Sequence, residues 1–151
     1  MMRTALAFLI PIFGFLSSAS AQEATPPAAP GQEAGPLPFD SPVSMRDMEA
    51  VCTGIGADAR NDPRWATYPL RIELVGRAGE YLGEALVTVN KGGDAVIGAR
   101  CGGPWLLLKL PPGAYEVKAE VEGRSMTARA NVAATGQARV VLRFADLGQP
   151  Q

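Results

Sequence analysis

The chain contains no histidine, and that absence excludes more than any residue present. Ser-His-Asp and Cys-His nucleophilic centres lose their usual base. The common zinc sites lose their usual ligand, and two cysteines are too few for a four-sulfur site. Carboxylates alone can still run an enzyme, so catalysis keeps only a narrow path. Clustered charge is missing as well. The 14 basic and 15 acidic residues give a net charge of −1, and no block of like charge stands along the chain. A nucleic-acid binder needs a basic stripe to neutralise phosphates, and a membrane-surface protein needs a polybasic patch. Neither partner is expected. Beyond residue 21 there is no long helical period.

The chain does carry an export signature. It opens MMRTALAFLIPIFGFLSSASAQ, with Arg3 as the basic start, an apolar run from Ala5 to Leu16, and small residues at Ala19 and Ala21. That layout is a signal peptide over residues 1–21, cut between Ala21 and Gln22. The run contains Pro11 and Gly14 and falls short of the roughly 20 apolar residues a bilayer span takes. No cysteine follows the cut to carry a lipid, so the expected product is periplasmic or secreted, with no integral span. In such a compartment Cys52 and Cys101 read as a disulfide.

Residues 22–46 are rich in proline, alanine and glycine, and large apolar side chains are scarce before Leu37 and Phe39. Such a stretch buries too little to offset its ordering entropy, which predicts a disordered linker. From residue 47 to 146 the pattern changes. LRIELV (70–75), EALVTVN (84–90), DAVIGARC (94–101), WLLLKL (105–110) and AYEVKAEVE (114–122) follow one another with turns such as KGGD, GGP and PPG between them. In the last of these, Tyr115, Val117, Ala119 and Val121 face one way. Met126, Ala128, Ala130 and Val132 continue the period, as do Ala138, Val140, Leu142 and Phe144. Period two at this spacing predicts an all-β sandwich or barrel in one domain. A short helix is expected near residues 61–66, capped by Asn61 or Asp62 with Pro63 in its first turn. Residues 147–151 are expected to be a flexible tail.

The stretch LKLPPGAYEVKAEVEG (108–123) resembles the bacterial carboxypeptidase regulatory-like domain, and GEYLGEALVTVN (79–90) is similar to that family's first hairpin. Together they cover roughly residues 70–145. The resemblance implies a transthyretin-like (prealbumin-like) Greek-key β-sandwich of about seven strands that binds, spaces or stabilises and does not catalyse. It implies no cofactor and no metal. Fold analogy by itself licenses no activity, and residues 47–68 with the cysteine pair lie outside the shared pattern.

The least strand-like part of the domain is CTGIGADARNDPRWATYP, residues 52–69. Asp58, Asn61 and Asp62 offer oxygen atoms to a calcium ion, but their spacing matches no EF-hand loop, and the same residues serve turns and caps. Asp58 with Asp62 is the best acid–base pair available. Trp65, Tyr68 and Arg64 form the possible ligand-binding set, since exposed aromatic rings stack on sugars. The competing reading packs Trp65 and Tyr68 over a sandwich edge and places Trp105 in the core near the disulfide. The expectation is therefore a non-catalytic envelope module whose partner is an unidentified envelope protein or glycan. A carbohydrate-binding module is the alternative.

Overall fold

In the computed structural model, which describes residues 33–45 and 47–148, the alternating segments become strands. The described residues form ten: β1 (Glu33–Pro36), β2 (Val43–Met45), β3 (Met48–Thr53), β4 (Leu70–Val75), β5 (Ala85–Lys91), β6 (Asp94–Cys101), β7 (Trp105–Lys109), β8 (Gly113–Val121), β9 (Arg124–Val132) and β10 (Ala138–Arg143). They build two five-stranded sheets, ordered β1-β6-β5-β8-β9 and β10-β4-β7-β3-β2. Two neighbour pairs, β1–β6 and β10–β4, are parallel.

The hairpins follow from local chemistry. Gly92 and Gly93 join β5 to β6, and Glu122 and Gly123 join β8 to β9. Both residues of each turn have positive φ, 59° and 89° in the first and 47° and 74° in the second. Two-residue turns of this kind match the right-handed twist of the flanking strands. The register from β8 to β9 then runs without a bulge from Val121↔Arg124 to Gly113↔Val132.

Apolar side chains fill the space between the sheets. Tyr115, Val117, Ala119 and Val121 enter it from β8, as their alternation predicts, and meet Leu70, Ile72, Leu74, Leu106 and Leu108 from the other sheet. Ala130, Val132, Val140, Leu142 and Phe144 are also buried, whereas Met126 stays 36% exposed and Ala128 half-buried. Cys52 of β3 and Cys101 of β6 are joined, with their Cα atoms 5.4 Å apart, so the bond ties one sheet to the other.

Residues 33–45, placed in a disordered linker by composition, are part of the fold. β1 extends one sheet and β2 the other, with Leu37 between them sunk into the core. Leu37 N–H donates to Arg100 O at 2.9 Å, and Asp40 N–H to Cys52 O at 2.9 Å. One apolar side chain with a core slot, plus backbone pairing along two open edges, outweighs a linker-like composition. These strands and β3 raise the count above the seven expected. The tail also differs: Leu147 packs against the core and its carbonyl accepts from Arg77 N–H at 2.9 Å. The signal peptide, its cleavage point, residues 22–32 and residues 149–151 lie outside the described residues.

Candidate functional site

The segment that held most of the sequence-predicted site residues folds into a lid. A short helix α1 (Gly56–Arg60) and a 3₁₀ turn (Pro63–Thr67) lie between β3 and β4. Asp62 caps the turn, accepting from Arg64 N–H at 2.9 Å, and Pro63 occupies its first position, as the sequence predicts. Trp65 and Tyr68 are each only 3% exposed and pack on Val51 and Leu107, which point away from the sandwich interior. The Trp65 indole N–H donates to Ala59 O at 2.8 Å, and the Arg64 guanidinium covers the ring at 4.6 Å. Neither ring offers the free face that stacking on a sugar requires.

The remaining lid candidates are also occupied or apart. Asp62 gives both carboxylate oxygens to Arg64, which holds its carboxyl below the usual range. Asp58 is exposed, and among the described residues no three His, Cys, Asp or Glu side chains gather as a metal would need. Gln137 Nε2 donates to the carbonyls of Trp65 and Tyr68 at 2.7 and 2.9 Å, fastening the lid to the start of β10. Tyr68 hydroxyl donates to Glu49 at 2.5 Å, and Lys109 donates to the same oxygen at 2.7 Å.

Trp105 differs from its expected place. It lies on the outer face of its sheet beside Leu107, not between the sheets. Arg71 stacks on its ring at 4.6 Å and Tyr81 meets it edge-on at 6.2 Å. The same face carries Glu73, whose side chain is 1% exposed. Arg139 holds both Glu73 oxygens at 2.7 Å, and Arg71 Nε lies 2.9 Å from Oε1 without hydrogen-bond geometry. A single carboxylate thus fixes two arginines. Sequence reading passed over this group because Arg139 and Trp105 reach Glu73 only through the pairing of β4 with β10 and with β7.

The feature most open to another molecule is an edge. Each sheet has two, and those on one side of the sandwich are blunted: β2 spans three residues, and β1 four with Pro36 and a register shift. On the other side stand β9 and β10. β9 is nine residues long, contains no proline and is exposed along Arg124–Thr127 and at Arg129. A two-residue hairpin turn is flanked by a hydrogen-bonded pair, and such pairs recur at every second residue. From Val121↔Arg124 onward, the N–H groups of Arg124, Met126, Ala128, Ala130 and Val132 point to β8. Those of Ser125, Thr127, Arg129 and Asn131 point outward. Past the end of this edge Gly123, Arg124, Ser125, Met126, Phe144, Ala145 and Asp146 line a hollow of about 340 Å³.

β9 itself carries basic charge and no acid. Residues 124–143 hold four arginines (124, 129, 139 and 143) and no acid. Glu73 engages Arg139, while among the described residues no ion pair holds Arg124, Arg129 or Arg143. Arg124 and Arg129 belong to the β9 edge, whereas Arg139 and Arg143 alternate with the core residues Val140 and Leu142 and lie on the outer face of the other sheet.

No protein-family model and no curated protein matches the chain.

Proposed function

We propose that this protein is a non-catalytic interaction module of the periplasm or cell exterior that takes partners by strand addition at β9. The observation that carries the reading is the free edge itself: nine residues in unbroken register, without the proline, bulge or shortness that guards the opposite side. Unpaired backbone groups on a regular edge are a template for an incoming strand. A disulfide between the sheets supports the same reading, because a rigid platform loses little entropy when it is used.

The N-terminal sequence supports export, with cleavage before Gln22 and a short arm ahead of β1. The Leu-Pro-Pro-Gly hairpin, running into β8, supports placing the sandwich with the transthyretin-like, Greek-key carboxypeptidase regulatory-like domains. The lid and its buried aromatics then belong to the stability of the module.

Selection of displayed random peptides on the native domain tests the proposal. Enriched peptides should alternate as strands do, and their binding should be lost with Thr127→Pro. This change removes an outward N–H and leaves the β8 ladder its donors. Enrichment of peptides that bind the proline variant equally well would contradict it.

A further inference from the structure

The structure assigns a chemistry to the partner: we infer that β9 receives an extended segment rich in aspartate or glutamate. This rests on the strand-addition reading of the same edge. Its own observation is the charge of β9, which carries Arg124 and Arg129 and no acid. An incoming strand alongside β9 places alternate side chains on the outer face of the sheet, in line with Ser125, Thr127, Arg129 and Asn131. Arg129 stands there beside Glu116 of β8 in register, with no ion pair to it among the described residues. An acidic residue arriving on the open side of Arg129 completes an acid–arginine–acid row. The other side chains of the incoming strand turn toward the sandwich side of the edge, where the exposed Arg124 stands at one end.

The same charges argue against a second copy of this chain as the occupant. Edge-to-edge pairing of two β9 strands would bring Arg124 and Arg129 of the two copies together, and like charge opposed across a new strand pair is destabilising. A basic segment is disfavoured for the same reason. The hollow beside Met126 and Phe144 adds an apolar contact at the end of the edge. Asp146 on its rim marks where the acidic preference ends.

Three synthetic peptides of equal length test this, alternating valine with glutamate, serine or lysine. Each carries a fluorophore and is titrated with the mature protein, Thr127→Pro, and the reversal Arg124→Glu/Arg129→Glu. Thermal melts report whether each variant is folded. The glutamate peptide should bind about tenfold more tightly than the serine peptide, and the gap should shrink with added salt. The double reversal should move the preference to the lysine peptide. Equal binding of the serine and glutamate peptides, both lost with Thr127→Pro, would overturn the acidic preference and leave strand addition standing. Glutamate-peptide binding that survives Thr127→Pro in a folded variant would overturn strand addition itself. Absence of binding by all three would overturn both. A single-stranded oligonucleotide of matching charge that binds more tightly than the glutamate peptide would assign the edge to nucleic acid instead.

Discussion

Arg139 on β10 grips both carboxylate oxygens of Glu73 on β4, each at 2.7 Å, across a parallel strand pair. The two residues are distant in sequence, and the acid is buried while the base reaches solvent. The pair fixes where β10 sits on the sheet. It also holds Arg71, through the same carboxylate, against Trp105.

Removing the acid should cost more than removing either base. Glu73→Gln leaves two guanidinium groups without the buried counter-charge they share, and should lower stability by about 1–3 kcal/mol. Arg139→Met should cost less, about 1 kcal/mol, because its side chain is half in solvent and Arg71 remains. Urea denaturation of the two single variants and the double variant gives the coupling. An additive cycle would show that the pair holds nothing.

The lid should behave as a separately packed layer. Trp65→Ala empties the contact with Val51, Tyr68 and Leu107 and should cost about 3–5 kcal/mol. Limited proteolysis should then cut within residues 54–69 first, with the sandwich hairpins still protected. If cleavage instead spreads evenly through the chain, lid and sandwich unfold together.

Much of this architecture was legible, and what was not has identifiable causes. β4 and β6 fall on LRIELV and DAVIGARC as read, and in β4 the core residues Leu70, Ile72 and Leu74 alternate with Arg71 and Glu73. WLLLKL does not alternate. Leu106 and Leu108 face the core while Trp105 and Leu107 face outward under the lid aromatics and Tyr81, so both faces are dry. That uninterrupted run was the available signal that Trp65 and Tyr68 were to be covering residues and not a ligand platform. β1 was illegible because its pairing is with β6, far along the chain, and one core side chain, Leu37, follows it; β2 was illegible because it spans only three residues.

Cys52 and Cys101 close a loop across a separation of 49 residues between the two sheets. By chain entropy, replacing both with alanine should cost about 4 kcal/mol, a large part of the stability of a domain this size. Calorimetry of the oxidised protein and the double variant measures it. Alkylation of the native protein should find no reactive thiol.

Two groups make stability pH-dependent in opposite directions. The Lys109 ammonium, followed by the Tyr68 hydroxyl, holds the Glu49 carboxyl below its ordinary value. Its folded pKa is below its unfolded one, so its contribution is present above the ordinary glutamate range and is lost as pH falls through the lowered value. Burial, followed by the Glu49 carboxylate, pushes the Tyr68 hydroxyl well above its ordinary value. That contribution is complete below about pH 10 and is lost as pH rises beyond it. Melting temperatures should therefore depend less on pH on the acid side in Glu49→Gln and less on the alkaline side in Tyr68→Phe. An unchanged profile in both variants would contradict the placement of this contact.

The central claim is that β9 is an unpaired edge, and amide hydrogen exchange of the isolated protein tests it most directly. Met126, Ala128 and Ala130 should be protected through the β8 ladder, while Ser125, Thr127 and Arg129 exchange rapidly. Slow exchange along the whole strand, at a concentration where the protein is monomeric, would mean that the edge is already covered and would contradict the account.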